Sequence, residues 1–199
     1  MEHTVDRADA TLALGSALKS QYHAALAMFR LAIERCPDRL WSGGEYVNPT
    51  WRIAYHVLYY THLYIQPSAA DFSPWEHHQT GIHDLDDIPA PPEIQDLTEL
   101  PHRPPQTGEP YTRQEILTYW RLCDEMVDTA VDALDLWSPE CGFSWYAIPK
   151  LEHQIVTIRH IQHHTGQLGN RLREASSGKA GIDWVGAGRQ ARRAEFPPA

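Results

Sequence analysis

Four stretches in which apolar residues recur every three or four positions, with no alternating pattern between them, restrict this chain to an all-helical design. The first covers residues 9–35, where Leu18, Tyr22, Leu26, Phe29 and Ile33 line one face ahead of Pro37. The second covers 48–65. Asn48 is placed to cap it, Pro49 suits the first helical position, and Ile53, His56, Val57, Tyr60 and Tyr64 face inward. The third opens on the capping-box spacing Thr112-Arg113-Gln114-Glu115, holds Ile116, Trp120, Cys123, Val127, Ala130 and Leu134 in one stripe, and stops near Trp137. The fourth spans 149–174 and gives way to Ser176-Ser177-Gly178. Together they predict an all-α four-helix bundle over residues 1–175 and a Gly-rich tail, 176–199, that docks through Trp184.

Between the second and third helices lies an irregular insert, 66–110, holding nine of the fifteen prolines and nine acids against one base, Arg103. It is far longer than ordinary helix connections, which suggests a crossover or a lid. Few large apolar residues and many prolines make it a surface wrap rather than a second domain.

The formal charge of −9 argues against a nucleic-acid partner, because phosphate binding needs clustered Lys and Arg. Residues 53–70 carry no formal charge, but His56, Thr61, His62, Gln66 and Pro67 interrupt them, so no membrane span is expected. Three scattered cysteines (Cys36, Cys123, Cys141) form no disulfide framework, and acids among the first ten residues exclude a signal-peptide pattern. A reduced, cytoplasmic setting follows as the expectation.

The informative chemistry sits in Thr157-Ile158-Arg159-His160-Ile161-Gln162-His163-His164-Thr165-Gly166-Gln167-Leu168. On a helix His160 and His164 are one turn apart, about 6 Å along the axis, so both rings can meet one cation. Imidazoles suit Zn, Ni, Fe or Cu better than Mg or Ca. A third ligand should project from another helix, and His56 fits because it shares a stripe with Ile53 and Tyr60. Three neutral ligands leave coordination positions open, as a catalytic site does. The bland alternative is that twelve histidines produce such pairs by chance and that these are hydrogen-bonded core residues. His163 points about 100° away from His164 and is either an outer partner of the site or a surface residue.

The run His160-Ile161-Gln162-His163-His164-Thr165-Gly166-Gln167 resembles the helix-four signature of the DinB-like superfamily, and His56 falls where that family places its first ligand. The resemblance covers residues 18–174, including helix order and the long connection. It implies a four-helix bundle with a three-histidine divalent site, zinc or nickel, and a homodimer. Active relatives of that kind are metal-dependent thiol S-transferases, using bacillithiol-, mycothiol- or glutathione-type thiols, and thiol-dependent isomerases. A small-molecule thiol and a small electrophile are then the expected partners, with no DNA contact.

Other residues are given lesser roles. His153, seven positions before His160, is either a rim acid/base group or a surface histidine near the helix start. Tyr59, Tyr60 and Tyr64 are core or pocket lining, Cys123 is an inert buried thiol, and His77, His78 and His83 are adventitious at most. No phosphate loop, nucleophile elbow or Glu-x-x-His pair occurs. The competing function is a non-catalytic bundle whose ion or histidine cluster only stabilises the fold while the acidic insert mediates self-association or partner binding.

Overall fold

The computed structural model describes residues 6–43, 46–86 and 108–188, and these are all-helical, with no strand among them. In chain order the α-helices are α1 (Arg7–Glu34), α2 (Asp38–Trp41), α3 (Thr50–Tyr64), α4 (Arg113–Asp132) and α5 (Lys150–Ala175), with a 3-10 turn at Ala69–Asp71. The four long helices enclose the main core: α1 and α3 each pack against both α4 and α5. Buried polar side chains fix that packing. Tyr22 of α1 donates to Gln154 Oε1 of α5 at 2.8 Å, and the Gln154 amide donates on to the Tyr64 carbonyl of α3 at 3.1 Å. No described helix is long and apolar enough to cross a membrane.

The capping box of α4 forms as its spacing predicts. The backbone N–H of Glu115 donates to Thr112 Oγ1 at 3.2 Å, and the Thr112 N–H donates to Glu115 Oε2 at 2.7 Å. The helix ends at Asp132, earlier than the stripe suggests, because Asp135 Oδ1 accepts from the Trp137 N–H at 3.1 Å and offers the backbone a turn instead. Leu134 and Leu136 still reach the core from this turn. Asn48 does not cap α3. Its side chain donates to the Asp86 carbonyl and accepts from the Asp86 N–H, at 3.0 and 2.9 Å, and so fastens the insert to the bundle while Pro49 occupies the cap.

Two further expectations are corrected. The insert is not a mere wrap up to residue 86: Trp75, Ile82 and Leu85 are buried in the main core, and the Trp75 ring stacks on Tyr119 with centroids 4.6 Å apart. The proline-rich remainder, 87–107, with Pro89, Pro91, Pro92, Pro101, Pro104 and Pro105, lies outside the described residues. The tail does not dock through Trp184, which is 80% exposed. It is held instead by Arg35, which reaches the Gly181 carbonyl at 2.7 Å and Asp183 Oδ2 at 2.6 Å, and by Ile182 packed on the core.

One interhelical contact carries a pH signature. His23 of α1 is buried between two carboxylates of α4, its Nδ1 2.7 Å from Asp124 Oδ1 and its Nε2 3.1 Å from Asp128 Oδ1. Hydrogen bonding to Asp124 raises its pKa above the ordinary histidine value, outweighing desolvation. A raised folded pKa contributes stability that is complete below the unfolded value, about 6.5, and is lost as pH rises through the folded one. The stability difference between wild type and His23→Gln, measured by urea unfolding, should therefore be larger below about pH 6 than above pH 8.

Candidate metal centre

His56 lies mid-way along α3 and His160 and His164 lie one turn apart on α5, so the packing of these two helices decides whether the rings meet. They do. One nitrogen from each of the three histidines lies within 4.8 Å of the others, and this group could hold a metal ion. His56 Nε2 and His160 Nε2 are 2.9 Å apart, close to the roughly 3.3 Å between two donors on a tetrahedral ion. The rings cross steeply, centroids 4.7 to 4.9 Å apart, as converging ligands do rather than stacked core rings.

The outer ring nitrogens fit the same role. His56 Nδ1 donates to the His83 carbonyl at 2.8 Å and His164 Nδ1 donates to Gln167 Oε1 at 3.0 Å, which leaves Nε2 of each neutral ring as the acceptor facing inward. A histidine ligand almost always gives its second N–H to such a partner. Gln167, part of the sequence motif, thereby has a physical task. The His83 contribution was invisible in sequence because a backbone carbonyl supplies it.

Residues expected to stand apart do so unevenly. His163 is exposed, as its helical phase required. Cys123 is fully buried, its thiol donates to the Leu58 carbonyl at 3.6 Å, and burial pushes its pKa well above the ordinary range. His78 and His83 are not idle surface groups. Both stack on Tyr59, with centroids 5.3 and 3.9 Å from it and 5.6 Å from each other, and Tyr55 Oη shares a 2.6 Å hydrogen bond with His78 Nδ1. His77 stays exposed.

His153 is the clearest departure. It is neither a surface histidine nor a rim group: it is 0% exposed, stacked 4.9 Å from Phe143 and edge-on to Tyr64 and Tyr146. Neither ring nitrogen has a hydrogen-bond partner among the described residues. Burial, with Lys150 adding to it, pushes its pKa down to about 4. The loop after α4 closes this box. Lys150 donates to the carbonyls of Pro67 and Cys141, and Gly142, at φ +89°, lies so close to the Pro67 carbonyl that any Cβ would collide with it.

Set against family models, curated proteins and solved structures, the chain matches none.

Proposed function

We propose that this chain is a DinB-like four-helix-bundle metalloprotein in which His56, His160 and His164 hold one zinc or nickel ion that activates a small thiol, or water, for transfer to a small electrophile. The observation that carries the reading is the convergence of three imidazole nitrogens from two helices within 4.8 Å. The outer hydrogen bonds of His56 and His164 support it. The likeness to the DinB-like signature rests on residues 160–167, on the order of the long helices and on the place of His56 in α3.

An ion with only neutral ligands keeps its full charge, so it favours an anionic ligand and lowers the pKa of a thiol or water within reach. The chain's own part is to fix the three donors on two rigid helices and to aim them through the His83 carbonyl and Gln167. The cytoplasmic setting and the homodimer belong to the same proposal, and light scattering of the purified protein tests the dimer.

Elemental analysis of protein purified without a nickel column should find about one transition ion per chain. His160→Ala and His164→Ala should each weaken binding by more than the roughly 100-fold that losing an outer partner costs, whereas His163→Ala should bind as wild type. Equal loss in all three variants would place the ion on a different face. Because the ligands must be neutral, occupancy should fall on acidification. Chelation should abolish thiol-dependent turnover. A chelated protein that unfolds, and a loaded one that turns over no thiol, would instead be the ion-stabilised, non-catalytic bundle.

A further inference from the structure

The groups at the centre do not share solvent equally. His56 and His164 are buried, whereas His160 and the adjacent Tyr60 each keep part of their surface. His160 and Tyr60 thus stand at the partly exposed side of the three-histidine group. Tyr60 stands edge-on to both ligand rings, with centroids 4.9 Å from His56 and 5.9 Å from His160. Tyr60 is thus a partly exposed aromatic ring in direct contact with two of the three imidazoles.

Beyond Tyr60 the wall continues as rings. Tyr64 is 5.3 Å away and Tyr59 5.4 Å away, with Tyr146 5.6 Å beyond Tyr64 and Phe72 5.3 Å beyond Tyr59. These residues gather on a second cluster beside the main core, and Tyr59 packs against both. The closed floor of this second cluster is Leu63, Tyr64, Cys141 and Phe143, and the half-open members above it, Tyr59, Tyr60, Phe72 and Tyr146, are all aromatic. Trp145 borders it, 49% exposed, with its indole N–H donating to Tyr64 Oη at 3.2 Å. Lys150 lies at the inner edge, 5.2 Å from the Phe143 ring, but its ammonium already donates to the carbonyls of Pro67 and Cys141.

Resting on the metal reading above, we infer that Tyr60 and its aromatic neighbours form the specificity surface of the centre and select a ligand that carries a flat, uncharged aromatic or conjugated group beside its metal-binding atom. Aromatic pairs at these centroid distances gain affinity beyond the area they bury, through edge-to-face and offset contacts that a saturated ring cannot make. The ammonium at the inner edge is already engaged, so an anionic group gains nothing from it, and the buried carboxylate of Asp84 close to His83 opposes one.

Cobalt(II) loaded into the full chain allows a direct test with two probe thiols, phenylmethanethiol and cyclohexylmethanethiol. They share a CH2–SH donor and differ in whether the ring is flat and aromatic, and each gives its S–H proton to the buffer on binding. The cobalt d–d bands, lost in His160→Ala, report the metal site, and further thiol-induced bands report the ligand. Phenylmethanethiol should bind roughly five-fold tighter or better in wild type. That preference should vanish in Tyr60→Leu, persist in Tyr60→Phe and shrink in Tyr146→Leu, with unchanged cobalt stoichiometry showing that each variant is folded. Equal affinities in wild type, a preference that survives Tyr60→Leu, or cobalt bands that neither thiol moves would overturn the aromatic selection while leaving the metal reading in place. Absence of protein-dependent cobalt bands overturns the metal reading and the selection with it.

Discussion

Replacing His153 with Phe should make the chelated protein distinctly more resistant to acid than wild type, with the advantage growing as pH falls from about 6.5 to about 4. Burial holds the folded pKa of His153 near 4, and His62, buried beside Tyr119, is pushed down to about 4 by the same cause. The unfolded chain protonates both near 6.5. Between those values the unfolded state binds more protons than the folded one, so stability rises with pH and is lost as pH falls through this window. Each group then withdraws on the order of 3 kcal/mol by pH 4, a large share of the roughly 5 to 15 kcal/mol that holds a domain together. His23 works in the opposite direction, since its raised pKa adds stability on the acid side.

Phe suits the position because His153 sits among Phe143, Tyr64 and Tyr146 and uses neither nitrogen. Removing two desolvated nitrogens should also be neutral or stabilising at neutral pH. Urea unfolding at several pH values, with chelator present to remove any contribution from metal ligands, gives the slope directly. Parallel pH profiles for wild type and His153→Phe would show that His153 is protonated in the folded state and that its box is open to water.

The four long helices were legible because their stripes have one strong period, and the three-histidine group was legible because His160 and His164 are a turn apart and His56 shares a stripe with core residues. What was missed has a common physical form: partners that sequence spacing does not encode. Nothing in the insert announces that the His83 carbonyl receives the His56 N–H. His153 shares the inward phase of His160, two turns away, yet a position near a helix start reads as exposed unless the loop that covers it is known. Asn48 before Pro49 has the form of a cap, but two hydrogen bonds to one distant backbone unit, Asp86, outcompete that use. Trp184 shows the reverse error, since size alone does not bury a ring when the neighbouring Ile182 and the Arg35 contacts hold the tail.

Trp75→Ala should lower stability by about 3 to 5 kcal/mol, and replacing residues 72–86 with a Gly/Ser linker should do more, abolishing cooperative unfolding or weakening metal binding about 10- to 100-fold. Trp75 stacks on Tyr119 and lies near Tyr55 and Tyr111, so truncation opens a cavity between α3 and α4 that rigid helices cannot close. The same segment supplies the carbonyl that orients His56, and Ile82 and Leu85, buried on either side of His83, hold that carbonyl in place. His83→Ala keeps the backbone and should leave ion affinity nearly unchanged, while the linker variant loses the acceptor. The comparison separates the ring of residue 83 from its peptide group. Equal affinity in wild type and linker variant, read by competition with a chromophoric chelator, would show that the tautomer of His56 is set elsewhere and that the insert serves the fold alone. A linker variant that unfolds cooperatively at wild-type stability would return the whole segment to the surface.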